Sequence, residues 1–277
     1  MAFFQVILPI SLTTEQQSAI LRYLSGGYLS KNEWRDALAG FDLLRQAIVK
    51  EGLKGCSLAE FYREVVDNVY ASSLIADLLE STDPEQEGRR LARTHGERIR
   101  RDLIERGLNV RLAEHRLLLA YVLYWWMSFV KGYSLEIAVF RDLRRAGISF
   151  ESHDLLNPQE RFSSYDLTLC NRRGDIKTST YFLETARSFP LRMAFYIVRL
   201  YRTQVRAWRW AVLLSPDFWR EINGEPVHAP LEDVLNHFPQ AVYFEVKQTP
   251  LIAVDYALWK EKVHAFQARR GGNENEG

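Results

Sequence analysis

Cysteine is nearly absent from this chain: Cys56 and Cys170 are the only two in 277 residues. They stand far apart with no ligand-like spacing. That excludes a disulfide framework and argues against a zinc site, and it predicts a reducing, cytoplasmic setting. A charge of one sign is absent too. The 36 Lys and Arg almost balance the 35 Asp and Glu, so bulk charge points to no polyanionic partner, and any nucleic-acid surface must come from local clustering. Glycine-rich phosphate loops and the G-x-S-x-G elbow are missing, which removes two common sources of chemistry. The six histidines, His95, His115, His153, His228, His237 and His264, show no paired metal spacing.

Long apolar runs are also lacking. The most apolar stretch, LLLAYVLYWWMSFV at 117–130, is fourteen residues long between Arg116 and Lys131. A spanning helix needs about 20, so the stretch predicts a buried core helix and no membrane span; attachment at a membrane interface is the alternative reading. The start, MAFFQVILPISL, has no basic region and no small-residue cleavage site, and the expectation is that it is not a signal peptide.

What is present fits a soluble globular protein, with 47% apolar and 26% charged residues. The length suits one large domain or two ordinary ones. Over 1–130 the chain reads as an all-helical bundle of five or six helices. Thr13 with Gln16, Ser30 with Glu33, and Ser57 with Glu60 each form a capping-box pattern, in which a hydroxyl and a later side chain satisfy first-turn donors reciprocally. Thr82-Asp83-Pro84 closes one helix and opens the next. Gly26-Gly27 and Gly52 mark turns. The arginine-rich segment 88–106, GRRLARTHGERIRRDLIER, could follow a phosphate backbone. Interleaved Glu97, Asp102 and Glu105 favour a solvated helix face instead.

From residue 131 the grammar changes. A helix, GYSLEIAVFRDLRRAG, starts near Ser134 and stops at Gly147. Short β-like runs follow: ISFESHDLL, SSYDLTLC and DIKTSTYFLE. A second helix is predicted over 189–205, then strands at 209–215 and 241–248, and GGNENEG at 271–277 reads as a disordered tail. Residues 131–270 thus predict an α/β domain with helices packed against a mixed sheet.

Acids inside strand-forming runs carry the chemistry. If SYDLTL and DIKTST pair as a hairpin around NRRG, Asp166 and Asp175 approach each other on neighbouring strands. Alternation puts Asp175 and Lys177 on one side. Two such carboxylates repel unless a cation sits between them, and a hard divalent ion with oxygen ligands resolves this. A lysine beside the metal can hold a water aimed at phosphorus. Glu136 heads the helical stripe Glu136, Val139, Phe140, Leu143 that should face the sheet. A half-buried glutamate there needs a partner.

Glu136 on the first helix, Asp166, and the triplet Asp175-Ile176-Lys177 together resemble the signature of the PD-(D/E)XK nuclease superfamily. The element order over roughly 131–215 is similar to that superfamily's restriction-endonuclease-like core. Tyr165 replaces the motif's proline, and Gly174 stands where an apolar strand residue is usual. The resemblance implies Mg²⁺-dependent hydrolysis of DNA phosphodiester bonds, with Mn²⁺ as substitute and endonuclease rather than exonuclease action. It implies Asp166, Asp175 and the Ile176 carbonyl as metal ligands, Lys177 as catalytic lysine, and Glu136 binding the metal or orienting its water. DNA is the implied partner, and the helical half is where a homodimer or a protein partner would be held. Defence against foreign DNA or mobile-element processing are the settings considered. The alternatives are a catalytically weak nuclease-fold DNA-binding or assembly subunit, and a helical interaction module on a structural α/β domain.

Two other features compete. Ser215-Pro216-Asp217 with Glu245-Val246-Lys247 could form a second site, but a short helix follows Asp217, and the long prolyl connection and the missing helix-borne glutamate count against it. In RLYRTQVRAWRW, Arg199, Arg202, Arg206 and Arg209 at helical spacing could grip a phosphate backbone, with core packing of the tryptophans as the alternative.

Overall fold

The computed structural model describes residues 4–8, 11–52, 54–157, 159–160, 163–180, 182–183, 191–202, 207–222, 227–228, 230 and 233–273. It divides into two compact units, residues 1–134 and 135–277. The division falls within one continuous helix, Ala113–Arg145, where the sequence had suggested a break near 130 and a fresh start at Ser134. Ser134 does not cap anything. Its hydroxyl donates to the Val130 carbonyl at 2.6 Å, the back-bonding use of a mid-helix serine.

The first unit is not all-helical, which corrects the sequence reading. It contains helices α1 (Thr14–Leu24), α2 (Lys31–Leu44), α3 (Leu58–Tyr62), α4 (Asn68–Glu80), α5 (Pro84–Glu105) and the first part of α6 (Ala113–Arg145). It also contains a three-stranded antiparallel sheet of β1 (Phe4–Ile7), β2 (Ile48–Glu51) and β3 (Lys54–Ser57). These strands are four residues each, too short for a legible alternation. Gly52 turns the β2–β3 hairpin with φ +66°. The three capping boxes close reciprocally at Thr13, Ser30 and Ser57, and Asp83 caps α5 with Pro84 at its first position. Leu117–Val122 are buried, and Trp126 donates from Nε1 to the Ala92 carbonyl at 3.1 Å. Among the described residues no helix is long and apolar enough to cross a membrane. On α5 the local pairing is Arg90 with Glu87, while Asp102 accepts from the Tyr70 hydroxyl.

The second unit is α+β. Its sheet has eight strands in the order β4-β5-β6-β7-β8-β11-β10-β9. In chain order these are β4 (Glu151–Ser152), β5 (Leu167–Leu169), β6 (Arg172–Lys177), β7 (Phe195–Arg202), β8 (Ala207–Leu214), β9 (Val227–His228), β10 (Val242–Val246) and β11 (Thr249–Asp255). The pairs β6/β7 and β9/β10 are parallel and the other neighbours antiparallel, so the sheet is mixed. Among the described residues the unit also contains the last part of α6 and helices α7 (Pro216–Ile222), α8 (Val234–His237) and α9 (Tyr256–Asn273).

Here too the sequence reading needs correction. The helix expected at 189–205 is instead strand β7 over Phe195–Arg202, and no part of its described range is helical. Phe195, Tyr196, Ile197 and Val198 are buried in succession, the pattern of a strand covered on both faces rather than of an amphipathic helix. One face packs Tyr196, Val198 and Leu200 with Leu213, Phe244 and Ala253. The other sets Phe195 against Phe218 of α7 and Trp259 of α9, each at 5.7 Å between ring centroids. The first residues of the expected tail are helical, because α9 extends to Asn273; residues 274–277 lie outside the described set.

Gly174 now has a physical reason. It pairs with Phe195 across the parallel β6/β7 register, and a Cβ at 174 would lie 2.1 Å from the Phe195 ring. The phenyl is fully buried and has nowhere to go. Gly174→Ala is therefore expected to destabilise the fold by about 2–3 kcal/mol through overpacking, read as a lower chemical-denaturation midpoint with unchanged slope.

Candidate metal centre

Two antiparallel registers build the site. β5 pairs β6 with Leu167 opposite Gly174, and Asp166 precedes that pair while Asp175 follows it. β4 pairs β5 with Ser152 opposite Leu167, and His153 follows that pair. His153, Asp166 and Asp175 thus form one contiguous row, the imidazole bonded to the Asp166 backbone and Asp175 to the Asp166 side chain. The hairpin between β5 and β6 turns tightly on Cys170 and Asn171, both at positive φ (51° and 60°), where the sequence reading had expected NRRG.

Glu136 reaches the row from α6. The helix stripe Glu136, Val139, Phe140, Leu143 is buried along its length, and the helix stops in a Schellman turn: Gly147 (φ +68°) donates to Arg144 and Ile148 to Leu143. The side chains of Glu136 and His153 are 10% and 8% exposed, with Glu136 Oε1 and His153 Nε2 3.1 Å apart. One ligand atom from each of Glu136, His153 and Asp166 lies within 4.8 Å of the other two. A nitrogen and two carboxylate oxygens gathered this closely could hold one divalent ion. Burying the Glu136 carboxylate is costly, and a bound cation would offset that cost.

Asp166 is held from both sides. Its backbone N–H donates to the Gly174 carbonyl at 3.0 Å, and its Oδ2 accepts from the Ile176 N–H at 2.6 Å. Ile176 thus meets the row through its N–H. Asp175 hydrogen-bonds Asp166 and pairs with Lys177 at 2.6 Å. All four motif residues expected from the sequence are therefore neighbours, with Asp175 turned toward the lysine. His153 is the residue the sequence reading missed. It searched for paired histidines, whereas this one pairs with acids through strand register.

The electrostatics follow from crowding. Burial, then Glu136 and Asp175, push the Asp166 carboxyl up to about 9. Burial likewise raises Glu136. The Glu136 contact raises His153. All three groups bind protons more tightly folded than unfolded, so each stabilises the metal-free fold below its unfolded pKa and loses that contribution as pH rises through its folded one. The metal-free protein is expected to melt at progressively lower temperature from about pH 4 toward pH 9, with added divalent metal restoring the loss at the alkaline end. Calorimetry across that range checks this.

The other candidates disperse. Arg199 and Arg209 lie on β7 and β8, not on a helix, and the register Leu200 opposite Arg209 puts them on opposite faces. Arg199 lies over the Trp210 ring at 5.9 Å, and Arg209 pairs with Asp255 at 2.6 Å. Arg202 ends β7, and Arg206 lies outside the described residues. The helical arginine grip is thereby withdrawn. Asp217 is exposed on α7 and pairs with Arg220 at 3.4 Å, Glu245 accepts from the Tyr243 hydroxyl at 2.9 Å, and Lys247 occupies the β10–β11 turn at φ 49°. β10 is four strands from β6 in the sheet, roughly 19 Å at about 4.8 Å per strand.

No family model, no curated protein and no solved structure matches this chain.

Proposed function

We propose that this chain is a metal-dependent nuclease of the PD-(D/E)XK type that hydrolyses DNA phosphodiester bonds, acting as an endonuclease. The observation that carries the reading is the convergence of Glu136, Asp166 and Asp175 in a largely buried spot beside Lys177. Three carboxylates so placed repel one another when ionised, and a cation between them would relieve that repulsion. The connection from β6 to β7 supports the same reading, because a parallel pair demands a crossover after the Asp175-Ile176-Lys177 strand.

Asp166 and Glu136 would hold the ion, with Asp175 completing the set once released from Lys177. The bound metal supplies Lewis-acid polarisation of the phosphoryl oxygen and lowers the pKa of a bound water. The chain's own residues do the rest. Lys177, 38% exposed and tethered by Asp175, donates hydrogen bonds to the attacking water and to the charge gathering on the phosphorane. Water oxygen bonds to phosphorus, the P–O bond to the leaving strand breaks, and the water's proton leaves to solvent while the alkoxide is protonated. The Ile176 N–H fixes Asp166 so that its carboxylate keeps its aim.

The test is incubation of supercoiled plasmid with purified protein and Mg²⁺ or Mn²⁺. Conversion to open-circular and linear forms, abolished by chelator and by Asp166→Asn, is the expected result. Equal nicking by the wild type and Asp166→Asn would assign the activity to a contaminant and sink the proposal.

A further inference from the structure

We infer that His153 is itself a metal ligand and that it makes the site one for a first-row transition ion, Mn²⁺ in preference to Mg²⁺. The inference rests on the reading of the cluster as a metal centre and concerns which metal it takes. Three features of His153 point the same way. It follows β4 directly, and its imidazole hydrogen-bonds the Asp166 backbone. Its Nε2 stands 3.1 Å from Glu136 Oε1 in a nearly buried pair, so an imidazole nitrogen and a carboxylate oxygen already face one spot. Finally, one imidazole nitrogen and one oxygen from each of Glu136 and Asp166 lie within 4.8 Å of one another.

Donor chemistry then decides selectivity. Mg²⁺ is hard, keeps its waters and prefers oxygen throughout. An imidazole nitrogen adds affinity along the first-row series, while carboxylates suit Mg²⁺ and Mn²⁺ alike. Exchanging one oxygen for nitrogen therefore tilts the site toward the transition ion without excluding Mg²⁺ at high concentration. The backbone of Asp166 is the other polar neighbour of the imidazole. It offers the kind of outer partner that fixes a ligating ring.

The experiment uses the full-length protein with Mn²⁺ as the probe and does not depend on cleavage. Pulsed EPR of the Mn²⁺-loaded protein should show modulation from a directly bonded ¹⁴N. Competition read on the free Mn²⁺ signal should give Mn²⁺ binding on the order of tenfold or more tighter than Mg²⁺. In His153→Gln, which offers an amide oxygen in place of the ring, the nitrogen modulation should vanish and the preference should collapse toward parity. Mn²⁺ bound by the wild type with no nitrogen coupling would overturn the role of His153 while leaving the metal centre in place. A ratio unchanged in His153→Gln would do the same. Failure of the wild type to bind either ion would overturn the metal-centre reading itself, and this inference with it.

Discussion

Asp166→Asn is expected to lose metal-dependent DNA cleavage by roughly 10³-fold or more, and to melt at higher temperature than the wild type when both are metal-free at pH 8. The two halves of this result come from one cause. Asp166 is the central carboxylate of the row, bonded through its backbone to His153 and through its side chain to Asp175. With its charge gone the ion loses a ligand, and with it the several kcal/mol of charge stabilisation that a Lewis acid supplies at phosphorus; about 4 kcal/mol corresponds to roughly a thousandfold. Asparagine can still accept from the Ile176 N–H as Asp166 Oδ2 does at 2.6 Å, and its amide can donate toward Asp175. It reproduces the protonated aspartate that the metal-free site favours, given a carboxyl pushed up to about 9. The stabilisation should therefore disappear near pH 4, where Asp166 is neutral in the folded wild type as well. Activity assays paired with calorimetry at pH 4 and 8 check both halves. A variant that is inactive and also less stable at pH 8 would mean that Asp166 serves the fold rather than the metal.

Lys177→Ala is expected to cost roughly 10²–10³ in the cleavage rate, about 3–4 kcal/mol of transition-state stabilisation, while Mn²⁺ binding stays within a few-fold of wild type. The lysine is partly exposed and bonds only to Asp175 among the groups of the row, so its ammonium is available to the reacting phosphate. Removing it frees Asp175, which can then turn to the metal; tighter rather than weaker metal binding is the direction this geometry favours. Lys247→Ala is the control. That lysine sits in the β10–β11 turn, four strands from the site, and its loss should leave the rate unchanged. Single-turnover kinetics with saturating metal separate the chemical step from binding. If Lys247→Ala is inactive and Lys177→Ala is not, the site has been placed on the wrong strand.

What was legible in the sequence was whatever rests on local chemistry. Thr13, Ser30, Ser57 and Asp83 announced helix starts because a cap needs only residues within one turn of it. Asp166, Asp175 and Lys177 could be brought together because a hairpin joins positions close in sequence. The misses are non-local or equivocal. β1 pairs with β2 across more than forty residues, in strands of four residues that carry no periodic signal. β7 was taken for a helix because a strand buried on both faces is a continuous apolar run, and its arginines fell by coincidence at spacings of three and four. His153 became visible only once β4 was known to pair with β5, since no spacing within the sequence ties residue 153 to residue 166 or to Glu136. Strand β11, buried from Leu251 to Asp255, carries no alternation to mark it as a strand, and helix α9 sets Trp259 against Phe195 through a contact distant in sequence.

The metal centre itself is tested most directly by anomalous scattering from crystals of the protein soaked in Mn²⁺. A single strong peak is expected within bonding distance, about 2.1–2.3 Å, of Glu136, His153 Nε2 and Asp166. No peak there at saturating Mn²⁺, or a peak only at another acidic surface such as that formed by Asp77, Glu80, Asp83 and Glu87 on the first unit, would contradict it.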